Sequence, residues 1–391
     1  MKILRIIARL NIGGPARNAV LLSEGFPGTV LVCGEVAESE GDMMYLAAEK
    51  GIKPIIVKEL GRELSWKDDF VAFWKIYKII CEEKPDIIHT HTAKAGALGR
   101  LAGMFYNLVH LPGEPDGSPG RWTRVKLIHT FHGHVFHGYF GRVKTGFFIL
   151  VEKILALFTY KIITVSENLK KELVKKFKIS SENKVSVIEL GFELDELFSL
   201  PLRENAEVIN IGIVGRLVPV KNHKMMLRVA RGLSPLLGIV PVCYVIIGNG
   251  ELRRELENYA IELGIEDMVE FRGWEKDLKA IYEGLDIVVL TSLNEGTPVS
   301  LIEAMASARP IVATKVGGVP DIVHDGKNGY LVASSDEEDF SQKLMDLIKD
   351  PEKRRRFGKY GRNIVKSRFS KERLIKDTEK LYNNILKSQV P

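Results

Sequence analysis

Two glutamates, Glu295 and Glu303, stand in the stretch S-L-N-E-G-T-P-V-S-L-I-E-A-M-A-S-A from Ser292 to Ala308. The apolar run Asp286-Ile287-Val288-Val289-Leu290 before them reads as a buried strand, and Glu295-Gly296 as the turn that leaves it. Thr297 is then the expected N-cap of a helix, with Pro298 at the first helical position. Val299, Ile302, Met305 and Ala306 give that helix an apolar stripe. Glutamates in loops and on helices are ordinarily solvated. Glu303, however, falls among small and apolar residues, where an unpaired carboxylate is costly. A polyhydroxylated ligand that donates its hydroxyls would satisfy both carboxylates. In an open α/β sheet, ligands bind at the carboxyl end of the strands, where this pair is placed.

Arg216 and Lys221 sit in V-G-R-L-V-P-V-K-N, just beyond another strand. Fixed cations there suit a diphosphate leaving group, because they stabilise the charge that builds as its bond breaks. Two solvent-facing basic residues are the plainer reading. His129, His132, His134 and His137 form a dense cluster that raises the question of a metal. No carboxylate or cysteine accompanies them, and strand geometry would divide them between two faces, so no metal is expected. His91 ends a strand in H-T-H-T, as an acceptor-side residue or as a satisfied structural histidine. Gly13-Gly14 follows the first strand and opens a helix, which suits either close approach of a ligand or a tight turn.

The elements that must position these groups alternate along the whole chain. Strand-like runs are followed by amphipathic helical runs, the pattern of doubly wound parallel sheets. Expected strands begin at Ile3, Thr29, Pro54, Asp86, Leu127, Ile162 and Lys184, and in the second half at Val208, Val242, Val269, Asp286 and Ile311. A helix over 66–83 carries Phe70, Phe73, Trp74, Tyr77 and Ile80 as an expected aromatic core stripe. The strands of the second half end in glycines or polar residues, Gly248, Gly250 and Gly273 among them, so one rim of that sheet suits a ligand. No carboxylate is expected at a strand exit in the first half.

A chain of 391 residues favours two domains. The expected domains are residues 1–200 and 207–371, joined by a linker around Pro201, with a tail at 372–391 returning to the first. The net charge of +6 divides evenly, with 27 basic against 23 acidic residues in 1–200 and 29 against 27 beyond. Neither half is basic enough to argue for nucleic acid. Cys33, Cys81 and Cys243 are scattered and odd in number, as in a reducing cytosol. The N-terminal run is too short and too charged for a signal peptide, and Glu152 and Lys153 interrupt the longest apolar helix. That helix, 143–158 beside Arg142, Lys144, Lys153 and Lys161, is expected either to pack in the core or to dock on an anionic membrane surface. The expected location is the cytoplasm, with the inner face of the membrane as the peripheral alternative. The loop over 110–126 is longer than a compact domain ordinarily holds, and no use can be read from it.

The E-x7-E spacing in E-G-T-P-V-S-L-I-E-A, the G-R-L-x-x-x-K spacing and the T-F-H-G segment together resemble the retaining group-4 (GT4) glycosyltransferases. The segments H-T-H-T-A-K-A-G-A-L-G-R-L-A-G and H-T-F-H-G-H-V-F-H-G-Y-F-G suggest the bacterial branch that builds surface polysaccharides. The resemblance implies the GT-B fold: two Rossmann-like domains facing a central cleft, the first binding acceptor and the second nucleotide sugar, with a C-terminal helix crossing back. It also implies roles. Arg216 and Lys221 would clamp the diphosphate in place of a metal, so no cofactor is required. Glu295 would hold the sugar and Glu303 the ribose. His132 would touch the transferred sugar, which leaves His134 and His137 to face the acceptor or to pack, and His91 to its two readings above. Gly13, Gly14, Gly248, Gly250, Gly273, Gly296, Thr297 and Pro298 would border the donor. The donor would be a UDP-linked sugar, and the acceptor a glycan or polyprenol-linked glycan. Thr297 departs from the family, whose members often carry a bulkier apolar residue there, and so does Tyr160, where aspartate is common. Two alternatives stay open: a UDP-N-acetylglucosamine 2-epimerase-like isomerase, and a non-catalytic sugar-nucleotide-binding protein.

Overall fold

The computed structural model describes residues 1–11, 13–36, 41–61, 65–110, 124–133, 141–203, 207–234 and 241–387. They form two compact units, Met1–Phe192 with Lys371–Pro391, and Glu193–Ser370. Both are α/β, and both are built on a parallel sheet, as the alternation of runs requires.

In the first unit the strands are β1 (Ile3–Arg9), β2 (Val30–Gly34), β3 (Ile55–Ile56), β4 (Ile87–His91), β5 (Lys126–Phe131), β6 (Lys161–Thr164) and β7 (Val185–Val187). Their order is β3-β2-β1-β4-β5-β6-β7. The helices are α1 (Gly14–Gly25), α2 (Met44–Glu49), α3 (Trp66–Glu83), α4 (Ala93–Val109), α5 (Arg142–Phe158) and α6 (Glu167–Lys171). The helix over 66–83 forms as expected, capped by Ser65, whose hydroxyl accepts from Asp68 N. Its expected core stripe holds only in part: Ile80 is in the core and Phe73 and Tyr77 pack against it. Phe70 and Trp74 are exposed, while Ala72, Ile76, Ile79 and Ile80 are buried. Two apolar stripes run along α3, and the slimmer aliphatic one takes the sheet. Trp74 and Tyr77 stack edge-on against Phe105 of α4 instead.

Helix α4 is rich in glycine, which lowers helix propensity and hides the element from periodicity. The glycines serve close packing. A Cβ on Gly96 would stand 2.4 Å from His129 Cε1, and one on Gly103 would stand 2.5 Å from Leu127 Cδ2. Buried Arg100 then reaches across to Glu152 of α5 through Nη2, at 2.9 and 2.8 Å from the two carboxylate oxygens.

The second unit opens with α7 (Asp195–Phe198), inside the stretch expected to be a linker. The boundary falls earlier than Pro201 because Leu197 and Leu200 are buried. Arg309 donates to Pro201 O at 3.2 Å and Arg362 to Leu200 O at 2.6 Å, which ties the segment down. The strands are β8 (Ile209–Val214), β9 (Val242–Ile247), β10 (Val269–Arg272), β11 (Ile287–Leu290), β12 (Ile311–Thr314) and β13 (Gly329–Val332), in the order β10-β9-β8-β11-β12-β13. Strand β13 is not among the strands expected from the sequence: it begins at a glycine, directly after the turn over 326–328. The helices are α8 (His223–Leu233), α9 (Arg253–Glu262), α10 (Leu278–Glu283), α11 (Val299–Ala306), α12 (Glu337–Lys349) and α13 (Pro351–Arg368).

From Lys371 the chain returns to the first unit as α14 (Lys371–Lys387). Leu374, Tyr382 and Ile385 are buried there among Ile3, Leu22, Phe26, Ile87, Ile128, Ile163 and Ile188. Each large apolar side chain buried in this way contributes about 1.5–3 kcal/mol to holding the helix on the first unit.

Candidate active site

The order β10-β9-β8-β11-β12-β13 reverses direction between β8 and β11. Loops leaving two such strands part in opposite directions and open a crevice at the carboxyl edge, where doubly wound sheets bind nucleotides. Arg216 and Lys221 leave β8, and Glu295 leaves β11. Lys221 Nζ lies 2.6 Å from Glu295 Oε1, and Ser292 Oγ donates to the same oxygen at 2.6 Å. The two loops are fastened by backbone as well. Leu293 N donates to Val220 O at 2.8 Å, and Thr291 Oγ1 to Lys221 O at 3.0 Å. Arg216 is exposed, its carbonyl accepting from Val218 N at 3.0 Å. A cation and a carboxylate are thereby held at the switch point, with a second cation beside them.

Glu303 lies on α11 and is only 4% exposed. Its Oε2 accepts from the Tyr282 hydroxyl at 2.9 Å, and that hydroxyl also reaches Ser300 O at 3.0 Å. Neither Tyr282 nor Ser292 is given a role by the sequence: Ser292 only opens the stretch that holds Glu295, and Tyr282 lies outside it and is brought to Glu303 by the fold. Helix α11 begins one residue later than expected, with Pro298 and not Thr297 at the cap. The Thr297 hydroxyl is buried and makes no hydrogen bond among the described residues.

The glycines on this rim have a reason in the protein itself. A Cβ on Gly248 would stand 2.0 Å from Gly215 O, and one on Gly250 would stand 2.4 Å from Leu217 O. Gly317, in the left-handed region at φ +49°, would bring a Cβ to 1.8 Å from Glu295 O. Backbone therefore lies on backbone from β9 to β8 and from β12 to β11, and this sets where Arg216 and Glu295 begin. Gly273 differs, since the nearest atom to its Cβ would be Arg253 Nη1 at 3.7 Å. His223, the first residue of α8, is buried, and neither ring nitrogen has a hydrogen-bond partner among the described residues. Burial, together with the Lys221 charge, pushes its imidazole down to about 4.

In the first unit Gly13 caps α1 and Gly14 begins it at the exit of β1. His91 ends β4 and His132 follows β5. Their rings meet, with His91 Nδ1 2.9 Å from His132 Nε2. His129 turns elsewhere, its Nδ1 2.8 Å from Thr90 Oγ1. His129 and His132 thus take different partners, and among the described residues no group of three or more His, Cys, Asp or Glu could hold a metal ion. His134 and His137 lie outside the described residues. One expectation needs correction: Glu35 directly follows β2, and Glu189 stands just beyond β7. Glu35 is exposed and pairs with Lys58 at 3.4 Å.

The second unit thus defines a nucleotide-type crevice whose charges suit a phosphorylated, polyhydroxylated ligand. Residues 29–196 match the family model described as Glycosyltransferase Family 4, and residues 198–364 the one described as Glycosyl transferases group 1. Between them the two matches take in most of both units, and the chain belongs to the family-4 glycosyltransferases. It is 29% identical over 317 residues to an Escherichia coli enzyme, UDP-Gal:alpha-D-GlcNAc-diphosphoundecaprenol alpha-1,3-galactosyltransferase, covering 77% of this chain and 76% of that one. It is 26% identical to the Staphylococcus aureus capsular polysaccharide biosynthesis glycosyltransferase CapM, over 83% of this chain and 84% of the other. The crystal structure of Anabaena Alr3699/HepE in complex with UDP has the same fold, with a TM-score of 0.79 at 19% identity, covering 98% of this chain and 100% of that one.

Acid should weaken this protein. His89, His91, His129 and His223 are buried, and burial is the first cause holding each imidazole below its ordinary value. Unfolding lets each ring take a proton below about pH 6.5. The stability due to these neutral rings is full above that pH and is lost as pH falls, by up to about 1.4 kcal/mol per pH unit for each ring. Thermal melts from pH 8 to pH 5 are expected to show a level Tm that drops below about pH 6.5. A Tm that stays level or rises on acidification contradicts the assignment.

Proposed function

We propose that the protein transfers a sugar from a UDP-linked donor to a glycan or polyprenol-linked acceptor in surface polysaccharide synthesis, retaining anomeric configuration and using no metal. The observation that carries this reading is the Lys221–Glu295 pair at the switch point. Before the donor binds, Glu295 balances the Lys221 charge. A diphosphate offers Lys221 and Arg216 a more highly charged partner, which frees Glu295 to accept from sugar hydroxyls. Glu303, oriented by Tyr282, accepts from the ribose. These are the donor contacts of other group-4 enzymes, on the residues that carry the motif here. The donor chemistry and the lipid-linked acceptor are also those in the name of the E. coli relative.

In the chemical step, the bond between the anomeric carbon and the phosphate oxygen breaks, and its electron pair stays on that oxygen. Lys221 and Arg216 stabilise the charge as it grows. The acceptor hydroxyl bonds to the anomeric carbon on the same face, and the departing phosphate oxygen takes its proton. No enzyme carboxylate acts as nucleophile, and the cations do the work a divalent metal would do. An inverting route needs a base opposite the leaving group. Glu35 is engaged with Lys58, and burial pushes the His132 imidazole down to about 3, too weak for that role near neutral pH. NMR of the anomeric proton in the first-formed product tests this: an α-linked donor is expected to give an α-linked product, with UDP released only when acceptor is present. A β-linkage contradicts retention, and UDP-sugar turnover without acceptor contradicts transfer.

The first unit also supports a membrane contact. Among the described residues no helix is long and apolar enough to cross a bilayer. Helix α5 nevertheless leaves Val143, Phe147, Leu150, Ile154 and Leu157 exposed, between 48% and 88%, while Glu152, Leu155 and Ala156 face inward. Exposed Lys144 on the same helix suits anionic headgroups. Flotation should show binding to vesicles containing anionic lipid and not to neutral ones. Phe147→Asp with Leu157→Asp is expected to lower it about tenfold or more, at the usual transfer value of two large apolar side chains. Undiminished flotation of that variant contradicts the placement.

A further inference from the structure

The first unit contains a buried guanidinium with no carboxylate among its hydrogen-bond partners in the described residues. Arg5 on β1 is fully buried and stands opposite His89 on β4 in the strand register. Its Nε donates to Ser23 Oγ of α1 at 3.2 Å. Its Nη1 lies 2.9 Å from His89 Nδ1 and 3.3 Å from His91 Nε2. The Tyr382 hydroxyl from α14 also reaches His89 Nδ1. His89 Nε2 lies 2.7 Å from Thr130 Oγ1, and His91 Nδ1 lies 2.9 Å from His132 Nε2. His132 Nδ1 is buried with no partner among the described residues.

Arginine has hydrogen-bond donors only and keeps its proton. The nitrogens that face Arg5 Nη1 must therefore accept. That makes His91 Nε2 bare, which places the proton of neutral His91 on Nδ1. His91 Nδ1–H then donates to His132, so His132 Nε2 is bare too, and its proton sits on Nδ1. The reverse arrangement would set N–H against N–H between His91 and Arg5, as would a doubly protonated His91. The other titratable groups around the chain are His89, His129 and Tyr382; His89 also accepts from Arg5, and His129 is bonded to Thr90.

We infer that Arg5 and His91 are positioning residues that fix His132 in its Nδ1–H form, presenting the substrate with a neutral hydrogen-bond donor and no proton acceptor. The inference rests on the reading of His132 as the group that meets the transferred sugar. An Nδ1–H aimed at a sugar oxygen polarises and orients it, and it cannot take the acceptor's proton. The orientation is set from within the sheet, before substrate arrives, by a charge that does not titrate.

Nitrogen NMR of the free enzyme with 15N-labelled histidine tests the tautomer without relying on turnover. His132 is assigned by the signal lost in His132→Gln. Wild type is expected to show a protonated Nδ1 and a bare Nε2 for both His91 and His132, unchanged between pH 6 and 8. A protonated Nε2 on His132 overturns the inference even if the protein transfers sugar; the expected tautomer with no transfer would instead refute the proposed function alone. Activity provides the second arm. His91→Asn keeps an amide N–H near the Nδ1 position and His91→Phe does not. The Asn variant should exceed the Phe variant by about tenfold in kcat, the value of one well-placed hydrogen bond, with similar KM for donor. Equal kcat in the two folded variants overturns the positioning role. Should the Phe variant fail to fold, the wild-type spectrum alone decides.

Discussion

The contact on which the second unit depends is between loops, and it is made largely of backbone. Lys221 and Glu295 are 74 residues apart in sequence and meet because β8 and β11 are neighbours in the sheet. The loops on either side are held close as well, because Gly248 and Gly250 let the β9 exit lie on the β8 loop and Gly317 lets the β12 exit lie on Glu295. A methyl group at Gly317 would displace the Glu295 carbonyl before it touched any ligand. The precision of the charged pair therefore comes from residues with no charge and no side chain. This is how a rigid parallel sheet turns a loose sequence motif into fixed geometry.

Each unit buries polar groups beside its candidate site. In the second, Lys221 meets Glu295, and buried Glu303 is held by the Tyr282 hydroxyl. In the first, the histidines around Arg5 are held neutral, by desolvation first and by neighbouring positive charge second. Both arrangements suit the proposed reaction, in which negative charge develops on a phosphate and no proton need pass to the protein. In that proposal, cations placed in advance would stabilise the leaving group, and neutral donors would orient the sugar.

Much of this was legible in the sequence, and what was not has physical reasons. The alternation of apolar strands and amphipathic helices gave the architecture, because each strand of a doubly covered sheet must be apolar on both faces. The spacing of Glu295 and Glu303, and of Arg216 and Lys221, placed these four at strand exits or on the helix that follows. Other features depend on contacts far apart in the chain. Nothing local shows that Tyr282 reaches Glu303, or that Arg5 meets His91. The exposure of Phe70 and Trp74 was hidden because α3 has two apolar stripes and only tertiary packing selects between them. The stretch around Pro201 looked like a linker because Pro201 and its polar neighbours dominate its composition, while two buried leucines and two arginines donating to backbone carbonyls fix its place. Helix α4 was masked by glycines that serve packing and not turns.

The central claim is that the carboxylates and cations at the β8–β11 switch point hold a nucleoside diphosphate sugar, with Glu303 on the ribose. Calorimetric titration of UDP into Glu303→Gln tests it most directly. The exchange keeps shape and replaces an acceptor-only carboxylate with an amide that cannot receive two hydroxyl donors. Affinity is expected to fall by about 1.5–3 kcal/mol, the worth of hydrogen bonds to a charged group, with the melting transition preserved. UDP binding as tight as in the unaltered protein, in a folded variant, would contradict the placement of Glu303 and the account built on it.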